Sequence, residues 1–188
     1  GPHPPPKARH FAPDAANTTD LGHVWLDGLL LHYRLTGEER HVAEAIVLRD
    51  YGGPEVLRSE SIEVGKPGPG ELRIRQTAVG VNFHDVYVRS GLYRTLSLPG
   101  TPGIEAAGVV EEVGPGVSGF AAGDRIAYVT ARYGTYASER LLPADLAIHL
   151  QAGIDDKLAA TVLLKGLTAE MLVRQGYRIE LGKLVLGH

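Results

Sequence analysis

Residues 80–108 read GVNFHDVYVRSGLYRTLSLPGTPGIEAAG, and this stretch decides the fold of the chain. It begins with a short polar cluster, NFHD at residues 82–85, and a short helix is predicted over residues 84–91. Asn and Asp are favoured at a helix start because their side-chain oxygens accept hydrogen bonds from unpaired backbone amides. A loop rich in Pro and Gly follows over residues 92–103, and an apolar strand begins near Gly108.

Short segments on both sides of this stretch predict antiparallel β-structure. Residues 45–60 have the pattern of a strand, a Gly-Gly-Pro turn and a second strand. Further strands are predicted at residues 71–79, 108–113, 125–129 and 136–141. Many short strands separated by Gly and Pro are typical of a barrel or sandwich. Two helices are predicted to follow, over residues 154–160 and 161–175, and then a strand over residues 181–186.

The stretch at residues 80–108 closely resembles the substrate-side domain of the zinc-free quinone oxidoreductases, within the medium-chain dehydrogenase/reductase superfamily. The resemblance extends over roughly residues 45–186. It implies a mainly β fold with α elements, namely a GroES-like β-barrel that is truncated before the Rossmann domain. In that family the Rossmann domain binds NADPH, and the resemblance therefore implies NADPH as the cofactor of the parent family.

The resemblance also implies site residues. Asn82, Asp85, Tyr87 and Tyr93 match the positions that line the nicotinamide and quinone cleft of the family. An amide and phenols suit this role because they orient a planar carbonyl compound while the cofactor supplies hydride. The alternative is that Asn82 and Asp85 only cap the following helix, and we favour it for this chain. His84 occupies a position that is usually aliphatic in the family.

Two other segments bear on cofactor binding. Residues 165–168, KGLT, match a family motif whose Thr contacts the cofactor, so Lys165 and Thr168 are candidate cofactor-binding residues. Residues 114–119, GPGVSG, have the GxGxxG spacing of a dinucleotide site, but a strand rather than a helix is predicted after them, so they are predicted to be a hairpin loop. Because the family's glycine-rich loop would follow Leu186, we expect that the chain alone neither binds NADPH nor reduces quinones.

The composition excludes several classes of function. A net charge of -3 offers no electrostatic case for nucleic acid or an anionic membrane, and no apolar run reaches the ~20 residues of a bilayer span. The absence of Cys excludes disulfides and thiolate nucleophiles. Ile104 stands where zinc-dependent relatives carry a His ligand, so their zinc sites cannot form. The first residues, GPH, have the appearance of a tag-removal scar, and we expect a cytoplasmic protein.

The N-terminal residues differ in character from the rest. Residues 1–20 are predicted to be irregular, and residues 21–44 a helical extension, with helices over 21–35 and 38–45. The segment 21–45 resembles one helical hairpin of the (α/α) toroid glycosidases. Its abrupt junction at residues 41–45 favours a chimera over a natural extension. The remaining predicted units are the barrel domain at 45–160 and a linking helix with one strand at 161–188.

Histidines of this extension are candidate metal ligands. His23 and Asp27 are four residues apart and share one helical face, so they could bind one ion together. His10, His32 or His41 would complete the site from another segment, and zinc is the candidate metal. Solvent-facing histidines without a metal are the simpler interpretation.

Three function hypotheses follow from these patterns. The first is descent from an NADPH-dependent quinone oxidoreductase. The second is a metal-dependent hydrolase of activated esters or phosphoesters, with a zinc-bound water as nucleophile. The third is a non-catalytic module that self-associates. A two-fold homodimer is predicted because the helix at residues 21–35 is apolar on too many faces for one small barrel to cover.

Overall fold

The computed structural model describes residues 41–176 of the chain. The seven strands are β1 (His41–Leu48), β2 (Leu57–Val64), β3 (Glu71–Gly80), β4 (Glu105–Val113), β5 (Arg125–Val129), β6 (Glu139–Pro143) and β7 (Ile148–His149). The helices are α1 (Phe83–Ser90) and α2 (Asp156–Met171), and a π-helical turn at Leu172–Gly176 continues α2. Within this range, no helix has both the length and the apolar character that crossing a bilayer requires. The predicted mainly β fold with α elements is therefore confirmed.

The strands form two antiparallel sheets. The larger sheet has the order β6-β3-β4-β5-β7, and β1 pairs with β2 in a separate ribbon. Single bridges from Ala45 to Ala137 and from Leu48 to Gly100 connect the ribbon to the rest of the domain. Gly80, the last residue of β3, pairs with Glu105 at the start of β4, so the chain leaves β3 beside Glu105.

The core of the large sheet is mainly apolar and contains a buried polar network around Gln76. Its fully buried side chains include Leu72, Ile74, Ile126, Tyr128 and Leu142. The Tyr128 hydroxyl donates to Oε1 of Gln76 at 2.5 Å, and Nε2 of Gln76 donates to the carbonyl oxygen of Ala137 at 2.7 Å. Burial raises the pKa of Tyr128 to about 12, so the hydroxyl keeps its proton. The network thus ties β3 and β5 to the segment before β6.

Helix α2 packs on the sheet through small side chains. Ala159 and Ala160 of the helix contact Ala107 and Ala127 of the strands, which brings the helix backbone close to the sheet. Two helices were predicted here, but the structure has a single helix from Asp156 to Met171. The predicted break at Thr161 does not occur, and the Thr161 hydroxyl donates within the helix to the carbonyl oxygen of Lys157 at 2.6 Å.

The helix predicted over residues 38–45 is wrong from His41 onward, where β1 begins. Residues Ala43, Ala45 and Val47 are buried in alternation, and β1 pairs with β2 along its full length. Cross-strand pairing and burial with period two override the helix propensity of Ala and Glu. The other part of the predicted hairpin, residues 21–40, lies outside the described residues.

Candidate functional site

Asn82 lies at the turn between β3 and α1 and serves as the N-cap residue of that helix. Its backbone N–H donates to Oδ2 of Asp85 at 2.8 Å, which confirms the predicted capping role of Asp85. The Asn82 side chain also bonds to more distant elements, since Nδ2 donates to Glu105 at 3.0 Å and Oδ1 accepts from Lys165 at 3.0 Å. Asn82 therefore joins α1, β4 and α2 as well as capping a helix.

Glu105 is the centre of this arrangement and is fully buried at the start of β4. Its Oε2 accepts from Asn82, and its Oε1 accepts from the backbone N–H of Leu164 at 2.7 Å. The Lys165 ammonium lies 3.7 Å from Oε2 and is half exposed. These three side chains, Asn82, Glu105 and Lys165, form what we call the amide–carboxylate–ammonium cluster. Asn82 and the buried Glu105 carboxylate therefore fix the position of the Lys165 ammonium.

Gly80 permits the close approach of the three elements. A Cβ at this position would overlap the carbonyl oxygen of Ala160 and Oε2 of Glu105. Only glycine fits here, because the neighbours are a helix backbone and a fully buried carboxylate. The residue is thus required for the packing of α2 against the end of β3.

Asp85 is buried on the other side of the helix start, with only 5% of its surface exposed. The Tyr136 hydroxyl donates to its Oδ2 at 3.0 Å. Burial raises the pKa of the Asp85 carboxyl above its ordinary value, against the opposing effect of its hydrogen bonds. Burial, and then the neighbouring Asp85 carboxylate, raise the pKa of Tyr136, so the phenol keeps its proton.

The raised pKa of Asp85 predicts a pH dependence of stability. An aspartate whose pKa is higher in the folded state favours folding below its unfolded value of about 3.9, and this contribution is lost as the pH rises through the folded pKa. Asp85→Asn, which cannot ionise, should therefore gain stability relative to wild type as the pH is raised from about 4 to 7. Urea unfolding of both proteins across this pH range measures the difference in their free energies of unfolding. A difference that stays constant would show that Asp85 has no raised pKa.

Five aromatic rings form a row that begins at Phe83, the residue after Asn82 in the chain. Neighbouring ring centroids lie 6.5 Å apart for Phe83 and Tyr87, 5.2 Å for Tyr87 and Tyr93, 5.7 Å for Tyr93 and His84, and 5.9 Å for His84 and Tyr133. We call these five residues the aromatic row. Tyr87 and Tyr93 are 38% and 45% exposed, so their rings are accessible to a ligand. The structure thus brings both predicted tyrosines together.

The two candidate cofactor residues of α2 differ in their surroundings. Lys165 reaches Asn82, as described above, whereas the Thr168 hydroxyl donates to the carbonyl oxygen of Leu164 in its own helix at 2.8 Å. Both residues are exposed and are three positions apart, so they lie on neighbouring parts of one helix face. Of the two, only Lys165 is held by the rest of the site.

Sequence reasoning missed the role of Glu105 and the contributions of Tyr133 and Tyr136. A signal for Glu105 is present, because a single carboxylate opens the otherwise apolar run EAAGVV of β4. Charged residues are rarely buried unless they are paired, so an acid inside a buried strand indicates a specific partner. The two tyrosines come from a loop and carry no comparable pattern.

Other predicted features lie apart from this site. The GxGxxG segment is the connection between β4 and β5, as predicted, and no helix follows it. A cleft of about 520 Å³ opens at the start of α2, but its Asp156 accepts hydrogen bonds from Thr77 and Arg125 at 2.7 and 3.0 Å. The paired charges of this cleft serve to hold α2 on the sheet.

The candidate metal ligands lie at or before His41, and the metal site stays a prediction. His10, His23, Asp27 and His32 lie outside the described residues, and nothing is described of the His41 side chain. Among residues 41–176, no cluster of three or more potential metal ligands occurs. The homodimer stays a prediction as well.

Comparison with known proteins identifies the fold family. Residues 68–174 match the alcohol dehydrogenase GroES-like domain. The chain is 46% identical to a quinone oxidoreductase of Pseudomonas aeruginosa, over 78% of this chain and 45% of that protein. It is 43% identical to a 2-haloacrylate reductase of a Burkholderia species, over 77% of this chain and 45% of that protein.

A solved structure agrees with these relatives. The crystal structure of Escherichia coli quinone oxidoreductase complexed with NADPH superposes with a TM-score of 0.71 and 42% identity, covering 73% of this chain and 42% of that one. The chain therefore spans less than half the length of each of these three relatives. It belongs to the alcohol dehydrogenase GroES-like domain family, and its homologues include quinone oxidoreductases of the medium-chain dehydrogenase/reductase superfamily.

Proposed function

We propose that this domain forms the substrate-side wall of an NADPH-dependent quinone oxidoreductase. The observation that carries the proposal is the amide–carboxylate–ammonium cluster together with two exposed tyrosines, because Asn82 of the cluster caps α1, the helix that carries Tyr87. Relatives that share more than 40% of the aligned residues include quinone oxidoreductases, and one of these was solved with NADPH. The substrate and the cofactor are therefore inferred for this chain from its site and from its family.

The cluster fits a role in orienting a carbonyl oxygen. NADPH, when bound, supplies the hydride in such a reaction. The Lys165 ammonium is half exposed, and Glu105 and Asn82 hold it in place. A positioned cation of this kind stabilises the negative charge that develops on a carbonyl oxygen as the carbonyl is reduced. Glu105 does not reach solvent and therefore acts through Lys165 and Asn82, as a positioning residue.

The tyrosines fit a planar ligand. Tyr87 and Tyr93 meet edge to face, with an angle of 67° between their rings, and the Tyr93 N–H donates to the carbonyl oxygen of Tyr87 at 3.0 Å. This contact fixes the loop that carries Tyr93 against the helix that carries Tyr87. A flat quinone ring can stack on such a preformed aromatic surface.

Quinone binding to the 188-residue chain tests the proposal. Tetramethyl-1,4-benzoquinone is a suitable probe because its ring positions are blocked against addition of amines. We expect it to shift the NMR signals of Tyr87, Tyr93 and the Asn82 side-chain amide. Signals of Phe120 and His149, which stack on each other at 4.5 Å between ring centroids, serve as an internal control and should stay in place.

A matched variant sharpens the measurement. Tyr93→Leu should weaken the binding, because the stacking surface is lost, whereas Phe120→Leu should not, since Phe120 lies outside the aromatic row and stacks on His149. Shifts confined to the cleft at the start of α2, or equal shifts all over the surface, would contradict the proposed site.

A further inference from the structure

The aromatic row continues beyond Tyr87 and Tyr93, the two tyrosines proposed to bind the quinone. Its next members are His84 and Tyr133. His84 contacts the Tyr93 ring on one side and stacks nearly parallel to the Tyr133 ring on the other, at an angle of 10°. His84 belongs to α1, and Tyr133 belongs to the connection between β5 and β6. A ligand that covers Tyr93 therefore has the imidazole of His84 as its neighbour.

A chain of hydrogen bonds determines which nitrogen of His84 carries the proton. Nε2 of His84 lies 2.8 Å from the Tyr133 hydroxyl oxygen, which in turn lies 2.5 Å from Oγ1 of Thr95. An imidazole nitrogen accepts a hydrogen bond better than a phenol oxygen does, and a phenol donates better than an aliphatic alcohol. The favoured arrangement has Thr95 donating to Tyr133 and Tyr133 donating to Nε2. The proton of the neutral ring is then on Nδ1.

The Nδ1–H group of His84 has no acceptor among residues 41–176. Within residues 41–176, the only hydrogen bond of the His84 ring is the one that Nε2 makes to Tyr133. We propose that His84 is a specificity-determining residue that donates from Nδ1 to an oxygen substituent on a quinone, so that alkoxy-substituted quinones are preferred over alkyl-substituted ones. This inference rests on the proposed function, since it assumes that the quinone lies against Tyr87 and Tyr93.

A pair of fully substituted quinones tests the preference. The probes are 2,3-dimethoxy-5,6-dimethyl-1,4-benzoquinone and tetramethyl-1,4-benzoquinone, which differ in two methoxy oxygens. Binding of each to the 188-residue chain is measured by NMR titration. We expect the dimethoxy compound to bind roughly fivefold more tightly, the size of effect that one neutral hydrogen bond produces.

Two conservative variants assign the preference. His84→Phe keeps a ring in contact with Tyr93 but has no N–H, so it should bind both quinones equally and keep the wild-type affinity for the tetramethyl compound. Tyr133→Phe keeps the neighbouring ring and removes the hydroxyl that fixes the tautomer, so the preference should fall without disappearing. Nitrogen-15 shifts of the free protein should show the Nδ1–H form of His84 in wild type.

Each remaining outcome overturns the inference. A preference that persists in His84→Phe assigns the discrimination to another residue, and an Nε2–H tautomer removes the donor, whatever the quinones do. Equal affinity of the wild-type chain for both probes also contradicts the inference about His84. That result would not contradict the proposed binding of quinones at Tyr87 and Tyr93. If neither probe binds to wild type, the proposed function fails and this inference fails with it, a result that is distinct from the others.

Discussion

Gly80→Ala is expected to lower the free energy of unfolding by about 3 kcal/mol, at the upper end of the cost of overpacking a well-packed interior. The added Cβ would overlap the carbonyl oxygen of Ala160 and the carboxylate of Glu105. Neither can move away easily, because Ala160 belongs to the backbone of α2 and Glu105 is fully buried. The helix would have to shift from the end of β3, which would also separate Lys165 from Asn82.

Gly166→Ala is the matched control for this variant. Gly166 lies in α2, and a Cβ there meets no atom within 4 Å. The same substitution should therefore stabilise the protein, by about 0.5–1 kcal/mol, because Ala is the better helix former. Urea unfolding followed by circular dichroism measures both. If Gly80→Ala is as stable as wild type, α2 does not pack against β3 as described.

The second large effect is expected at Glu105. Glu105→Ala would leave the Leu164 N–H and Nδ2 of Asn82, both partly buried, without their acceptor, at a cost of up to about 1–3 kcal/mol for each donor. We expect a total loss of about 3 kcal/mol, because water can reach part of the space that the side chain vacates. Glu105→Gln should lose less, since its amide oxygen can still accept one of the two bonds.

Glu170→Ala provides the comparison for Glu105→Ala. Glu170 lies on α2 and is 55% exposed, and it pairs with Arg174, four residues further along the chain. Removing such a pair changes stability by only about 0.3–0.5 kcal/mol. An equally small effect of Glu105→Ala would show that Glu105 does not organise the site.

The elements that follow from local patterns were predictable. The alternation of residues 71–79 predicts β3, which the structure has at Glu71–Gly80, and β5 occurs where predicted, at Arg125–Val129. The capping of α1 was predictable as well, because Asn82 and Asp85 are only three residues apart and the capping bond is local.

The site itself depends on contacts between distant residues. Asn82 meets Glu105 across 23 positions and Lys165 across 83 positions, and Leu164 meets Glu105 across 59 positions. No sequence period relates such residues, so only the family resemblance could indicate Asn82 and Lys165 together. It did not indicate Glu105, whose importance comes from its burial. The same limit explains β1, since its start at His41 follows from pairing with β2 rather than from local propensity.

A domain exchange tests most directly whether the amide–carboxylate–ammonium cluster, Tyr87 and Tyr93 together form the substrate-side wall of a quinone oxidoreductase. Residues 41–176 would replace the matching segment of the Pseudomonas aeruginosa quinone oxidoreductase, to which this chain is 46% identical. NADPH oxidation is then measured with and without tetramethyl-1,4-benzoquinone. We expect quinone-dependent NADPH oxidation, and we expect its rate to fall roughly 100-fold with Lys165→Ala. Lys157→Ala, on the same helix, should leave the rate unchanged. A folded hybrid that binds NADPH but does not reduce the quinone would contradict the proposed function of this domain.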